Sequence, residues 1–293
     1  MLFNCNSVFA VFRKAFNSVS AKTFERTLDF YGLTLRRYQI ALSYSKGKKV
    51  LDIGSGLGQG PNFLALNGAK KVLAVDYSQK AIDLAKKSFN LPNLEFKVID
   101  ALNIGSLKEK FEVIIAFELI EHLSKGTYKK FLRSVSQVLN KNGVFLMSTP
   151  NKLVTSPGRE KPLIAYHTRE FTPGEIAKMV RKYFKKVEIK GLICLNEAFE
   201  ESRKEVMATF RHKLAVFLKK SRLVCEILAF LPGGFKRRLT GEAKLEKLIP
   251  KESDFDYTAV NVDQGENLLI VASHPGGVMN HIIGTNSILE VKT

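Results

Sequence analysis

The chain has 293 residues, 45% hydrophobic and 25% charged, a globular balance that excludes wholesale disorder and fits one large domain or one domain with an elaboration. Its three cysteines (Cys5, Cys194, Cys225) are too few and too scattered for a disulfide framework or a zinc site, so a reduced, cytoplasmic chain is expected. Lys and Arg outnumber Asp and Glu by 46 to 28, a net charge of +18, which calls for an anionic partner, either nucleic acid or a membrane surface.

Residues 1–45 show no strand pattern and meet their first base only at Arg13, the reverse of the charge order of a signal peptide. Phe24, Leu28, Tyr31 and Leu35 recur at helical spacing, so residues 1–45 are expected to be a helical segment. From Lys48 the texture changes to short apolar runs alternating with helical patterns. Strands are predicted over 49–53, 71–76, 94–99, 111–117 and 143–148, with helices over 60–67, 78–89 and 125–139. Residues 151–167 read as a loop. A helix over 171–183 opens on Thr172-Pro173, a cap followed by proline at the first helical position. A sixth strand follows over 184–190 and a seventh over 267–273.

This alternation predicts an α/β fold with a mostly parallel sheet covered by helices on both faces. The expected organisation is a helical segment (1–45), one α/β domain (46–193 and 258–275), a helical basic insertion (194–257) and a tail (276–293). Sheets of this kind bind ligands beyond the carboxyl ends of their strands, so the residues ending each strand carry the functional signal.

The strongest signal is Asp52-Ile53-Gly54-Ser55-Gly56-Leu57-Gly58, between a strand and a helix. Gly54, Gly56 and Gly58 let the backbone turn sharply and approach a ligand closely. The Gly-Lys-Ser/Thr ending of a P-loop is absent, and the spacing G-x-G-x-G differs from the G-x-G-x-x-G of a dinucleotide site. Asp52, just ahead of the loop, would repel a pyrophosphate but suits a ligand carrying an ammonium group. The next strand ends in Asp76, where a carboxylate can accept both hydroxyls of a ribose. The third ends in Asp100, where an acceptor can meet an adenine amino group.

Taken together, Asp52–Gly58, Asp76, Asp100 and the stretch 111–123 resemble the class I S-adenosylmethionine-dependent methyltransferases over roughly residues 45–190, and again at 267–273. The resemblance implies a Rossmann-like sheet of seven strands, the last antiparallel, and S-adenosyl-L-methionine as cofactor. It implies that Gly54, Gly56 and Gly58 contact the methionine end of the cofactor. Asp76 would hold the ribose with Tyr77 beside the adenine, Asp100 and Ala101 would read the adenine edge, and Phe117 would lie near the methionine amino group. Glu112 stands where the family often has Asp.

The fourth strand runs into Glu118-Leu119-Ile120-Glu121-His122. If a helix starts near Glu118, that residue, Glu121 and His122 share one face, where they could organise a proton transfer or hold a metal. Together with His167, the pattern is similar to a subset of the family: ubiquinone-biosynthesis O-methyltransferases, small-RNA 2′-O-methyltransferases and type 11/12 enzymes of polysaccharide clusters. That likeness implies Glu121, His122 and His167 as catalytic residues, and Glu118, Glu121, His122 and His167 as a set able to take a divalent metal, to which the sequence does not commit. The Asn/Asp-Pro-Pro-aromatic motif common in enzymes that methylate base amines is absent, which favours oxygen as the acceptor atom.

Between residues 181 and 251, 18 Lys/Arg face 8 Asp/Glu, a surplus of ten. Val206, Phe210, Leu214, Phe217, Val224, Leu228 and Leu231 form an apolar stripe among these bases. Such a segment suits an anionic membrane surface, or equally a lid over the active site. It lacks the aromatic platforms of an RNA-binding surface. The expected acceptor is therefore a sugar or lipid-linked intermediate of envelope biosynthesis, with nucleic acid a weaker fit. A quinone-type phenol and a cofactor-binding adaptor without turnover are the alternatives.

Overall fold

The computed structural model describes residues 28–196, 201 and 255–276. Apart from residues 201 and 276, the basic amphipathic stretch expected over 201–231 and the tail expected over 276–293 lie outside them.

In chain order the elements are α1 (Leu28–Ser45), β1 (Lys49–Ile53), α2 (Gln59–Leu66), β2 (Lys71–Asp76), α3 (Gln79–Ser88), β3 (Leu94–Val98), β4 (Phe111–Phe117), α4 (Tyr128–Val138), β5 (Leu139–Pro150), α5 (Lys152–Thr155), α6 (Pro173–Val180), β6 (Phe184–Cys194), β7 (Phe255–Thr258) and β8 (Asn267–Pro275), with short 3-10 helices at Ala101–Ser106, Ile120–His122 and Val262–Gln264. One sheet has the order β3-β2-β1-β4-β5-β8-β6-β7. The first five strands in that order run parallel, while β8 is antiparallel to both β5 and β6. The apolar strands sit in the interior of the sheet because both of its faces are covered. One face packs on α4 and α6 through Phe131, Phe145, Ile176 and Phe184. The other packs on α1 and α2 through Leu35, Ala41, Phe63 and Leu64.

The sheet has eight strands where seven were expected. The additional strand, β7, straddles the end of the stretch expected to be the basic insertion (194–257), and it pairs antiparallel with β6 from Gly191↔Thr258 to Cys194↔Phe255. Its alternation is physically clear: Phe255 and Tyr257 are buried beside Leu192 and Leu269, while Asp256 and Thr258 are half-buried. Four residues are too few for that period to stand out after the charged run Lys251-Glu252-Ser253-Asp254. Helix α4 starts at Tyr128 rather than at residue 125 because Gly126 adopts φ 92°, outside the helical region. Thr172 caps α6 in a reciprocal capping box with Glu175, as its position before Pro173 predicts.

Helix α1 positions the site more than its weak sequence pattern foretells. The hydroxyl end of its Tyr38 ring packs against the start of α2, so close that a Cβ on Gly60 would fall 1.9 Å from the ring. The replacement Gly60→Ala is expected to lower the unfolding free energy by about 1–3 kcal/mol, an overpacking cost, read by urea denaturation. A stability equal to wild type would show that the ring has room to move.

Candidate functional site

The glycine loop is held by groups outside itself. After β1, the amides of Gly54 and Ser55 donate to the Val75 carbonyl at 2.8 and 3.0 Å. The amide of Gly56 donates to Asp76 Oδ2 at 2.9 Å, and that of Ser78 to Asp76 Oδ1 at 2.9 Å. The Asp76 carboxylate thus joins the loop to the start of α3 while each oxygen keeps a lone pair for a further donor. Gly58 adopts φ 86°, and a Cβ there would fall 2.7 Å from Phe96. A Cβ at Gly56 would meet nothing within 4 Å, so the backbone there is open to close approach.

Asp52 is buried at the back of this loop and accepts the Tyr38 hydroxyl at 2.8 Å. Burial pushes its carboxyl up to about 7, aided by the nearby Asp76 charge and opposed by the Tyr38 hydrogen bond. Tyr77 is 80% exposed at the end of β2. Asp100 is exposed and accepts from the Leu102 amide at 2.7 Å, capping the 3-10 helix in which Ala101 is buried. Phe117 is half-buried, its ring 5.3 Å from that of Tyr38 in an edge-to-face contact. The strand-end residues Asp52, Asp76 and Asp100 therefore sit at the carboxyl ends of adjacent strands, where the fold predicts a ligand.

Beyond β4 the structure departs from the expected helix. Glu118 adopts φ 49°, a left-handed conformation that strains a non-glycine residue, and only the three residues Ile120–His122 form a 3-10 turn. Glu118 consequently leaves the shared face. Its Oε1 accepts from Ser148 Oγ at 2.7 Å and Asn267 Nδ2 at 2.9 Å, with Arg37 Nη2 at 3.5 Å. Arg37 is fully buried and also donates from Nε to the Tyr257 hydroxyl, which in turn donates to Asn267 Oδ1. Burial works to strip the Arg37 proton, but Glu118, Tyr257 and Glu121 more than offset it and hold the guanidinium charged. This network ties α1, β5, β7 and β8 to the strained turn. Sequence reading missed Arg37 and Tyr38, whose only signal was their place on a helix of uncertain face.

Glu121, His122 and His167 do come together, their ligand atoms all within 4.8 Å of one another. Glu121 is completely buried; its Oε2 accepts from Thr149 Oγ1 at 3.0 Å, while Oε1 has no hydrogen-bond partner. Burial, reinforced by the Glu118 charge, raises its carboxyl well above the usual range. His122 is partly exposed, with Nδ1 3.3 Å from the Tyr166 carbonyl, and burial lowers its pKa. The His122 and His167 rings stand edge to face at 5.0 Å. His167 Nδ1 lies 2.9 Å from Glu170 Oε1. Burial works against the Glu170 charge, yet hydrogen bonds from His167, Thr155 and Ser156 bring its carboxyl below the usual range. An ionised carboxylate only accepts, so Nδ1 of His167 carries a proton, and in the neutral imidazole the lone pair is then on Nε2. Glu170, absent from the sequence reading, thereby fixes the tautomer. Leu119 reaches within 3.1 Å of where a Gly54 Cβ would stand, so this cluster and the glycine loop are neighbours.

Because the buried Asp52 carboxyl binds a proton far above its unfolded value of 3.8, its contribution to stability is full below that value and is lost as pH rises toward about 7. Asp52→Asn removes this slope. Urea denaturation between pH 4 and pH 7.5 should show the variant gaining on wild type as pH rises; parallel curves would place Asp52 in a wetter setting.

Comparison with known proteins agrees with this fold. A family described as "Methyltransferase domain" matches residues 44–213, more than half of the chain. The "Probable S-adenosylmethionine-dependent methyltransferase" of Mycobacterium tuberculosis is 30% identical over 170 residues, covering 56% of this chain and 60% of that protein. The "Ubiquinone biosynthesis O-methyltransferase" of Pelagibacter ubique is 34% identical over 113 residues, covering 38% of this chain and 45% of that protein. The chain thus spans about 60% of the length of the mycobacterial relative and less of the other. In fold, the chain is similar to a methyltransferase of Archaeoglobus fulgidus, with a TM-score of 0.51 at 18% identity over 84% of this chain and 93% of that one. The strand order, the glycine loop with its following acidic strand ends and these matches agree: the chain belongs to the class I S-adenosylmethionine-dependent methyltransferases.

Proposed function

We propose that the chain transfers a methyl group to a hydroxyl oxygen of a sugar or lipid-linked intermediate of envelope biosynthesis. The observation that carries this reading is the convergence of Glu121, His122 and His167 beside the glycine loop. A site for transfer to oxygen needs a proton acceptor next to an oriented methyl donor, and His167, with Nδ1 tied to Glu170, would accept through Nε2. S-adenosylmethionine, when bound, supplies an electrophilic methyl carbon whose bond to sulfur breaks as the bond to the acceptor oxygen forms, leaving S-adenosylhomocysteine.

The chain's own residues bind and orient. The open backbone at Gly56 and the spare lone pairs of Asp76 fit a ribose and a methionine end; Tyr77 and Ala101 would hold the adenine and Asp100 would accept from it. Asp52, Gly54, Gly58 and Phe117 shape the methionine end. His122 and His167 flank the acceptor hydroxyl, and His167 takes its proton. Catalysis is then mostly positioning, since the methyl group is already activated. The orphaned Glu121 Oε1 and the two imidazoles also fit a divalent cation, which would lower the pKa of a coordinated hydroxyl. Glu118 does not join that set, being bound to Arg37, Ser148 and Asn267.

The ubiquinone-pathway relative, an O-methyltransferase by name, supports oxygen as acceptor and keeps a phenol as the second reading. No helix among the described residues is long and apolar enough to cross a membrane. The surplus of ten bases over 181–251 supports a cytoplasmic enzyme resting on an anionic membrane surface through residues 201–238. Loss of co-sedimentation with anionic vesicles when these residues are deleted is the corresponding check.

Calorimetry with S-adenosylhomocysteine should show binding by wild type and a loss of about 100-fold or more in Asp76→Ala, the worth of charge-assisted hydrogen bonds. Unchanged affinity would remove Asp76 from the cofactor site. Methyl transfer to a panel of glycans, phenols and RNA should favour glycans, and His167→Ala should lower kcat by about 100-fold or more with cofactor affinity intact. Transfer to RNA alone would overturn the acceptor class, and no transfer to any of them would favour an adaptor.

A further inference from the structure

The segments that leave the carboxyl ends of β4 and β5 carry the reactive cluster and also wall a second cleft. This cleft, of about 430 Å³, lies between the start of α4 and the helix α6. Lys125, Lys129, Lys178 and Lys182 line it, and among the described residues none of the four has a carboxylate within 4.0 Å. The one acid in its lining, Glu175, is already taken: it holds Arg169 at 2.8 Å and accepts from the Thr172 amide. Arg169 lies with its guanidinium 4.9 Å over the Phe171 ring. The floor is built from the buried rings of Tyr128, Phe171 and Tyr183. Four exposed lysines, none paired with a carboxylate among the described residues, ring a concave cleft floored by aromatic rings and so gather positive charge at one place.

The cleft is also joined to the reactive cluster. The Tyr128 hydroxyl is 3.3 Å from Thr168 Oγ1, and that hydroxyl lies against the carbonyls of Glu121, at 3.0 Å, and Leu123. The Thr168 amide donates to the same Glu121 carbonyl at 2.7 Å. One short chain of hydrogen bonds therefore runs from the floor of the cleft to the backbone of the buried carboxylate.

We propose that this lysine-lined cleft between α4 and α6 is an anion subsite that holds a phosphate or diphosphate carried by the methyl acceptor, so that the hydroxyl to be methylated is presented at His167. The proposal rests on the hydroxyl-acceptor reading above. Lysine suits the task as a mobile point charge with three donors, able to follow a phosphate without the fixed fork of arginine. A concave cleft favours a compact phosphate group over the flat face of a bilayer.

The probe is inorganic pyrophosphate, titrated by calorimetry into the full chain already loaded with S-adenosylhomocysteine at low salt. Wild type is expected to bind it saturably, and the triple variant Lys129→Gln, Lys178→Gln, Lys182→Gln to bind at least about ten-fold more weakly. The control pair Lys86→Gln, Lys87→Gln, exposed on α3, should bind as wild type does, and S-adenosylhomocysteine affinity should stay the same in all three proteins. With a phosphorylated glycan as acceptor, the triple variant should raise KM at unchanged kcat. No saturable binding by wild type, or equal weakening in the control pair, overturns the subsite. So does a triple variant that loses only co-sedimentation with anionic vesicles while pyrophosphate binding is unchanged, since the cleft would then be a membrane contact. A chain that binds pyrophosphate through these lysines but methylates no hydroxyl leaves the subsite standing and removes the acceptor reading instead.

Discussion

Where β1 stops, its chain must leave a parallel sheet with amide groups that no neighbouring strand can receive. The carbonyl of Val75 takes two of them and the carboxylate of Asp76 a third, so the turn is suspended from the end of β2 rather than stabilised from within. A buried or half-buried amide without an acceptor is costly, which makes this arrangement a constraint on everything built around it. It sets the loop's height above the sheet, commits Asp76 to a fixed orientation before any ligand arrives, and leaves the loop's outer backbone uncovered. Leu119 can then close on Gly54 from the β4 side, bringing the strained turn and its reactive side chains into register with the loop.

A second constraint comes from the helix that precedes the sheet. Two consecutive residues of α1 turn inward: Tyr38 toward Asp52 and Gly60, Arg37 toward Glu118 and Tyr257. Burying a guanidinium is tolerable only when its donors are met, and the acceptors here come from the turn after β4 and from β7. The left-handed Glu118 is sustained by the same network, which over-determines a conformation that costs of order 1–3 kcal/mol on its own. Helix α1 is thus part of the site and not an appendage to it.

The parts of this organisation that could be read from the residues are those with a local period or a fixed spacing. The strands over 49–53, 71–76 and 111–117 have the same bounds in the structure, because each is a short, mostly apolar and β-branched run set off from the segments around it. Thr172-Pro173 marked the start of α6 for an equally local reason. What escaped reading depends on distant partners. The left-handed Glu118 has no signature in its neighbours, so a regular helix was the natural expectation there. Arg37 and Glu118 are 81 positions apart, while Glu170, only three residues from His167, lies in an irregular stretch where no period marks the pairing. The brief strand β7 acquires its meaning from Leu192 and Leu269, and nothing within its own four residues announces it.

The pairing of Cys194 with Phe255 has a consequence for the stretch between them. The two residues that bound the 60 intervening positions face each other across one strand spacing, so the sheet experiences that whole stretch as the connection of a hairpin. The entropy of closing a loop grows only with the logarithm of its length, about 0.6 kcal/mol for each doubling. To the sheet, a short turn and a long excursion at this point are therefore nearly interchangeable. The pairing of β6 with β7 holds both ends of that stretch one strand spacing apart, and the closure cost the sheet bears depends only weakly on how many residues lie between them.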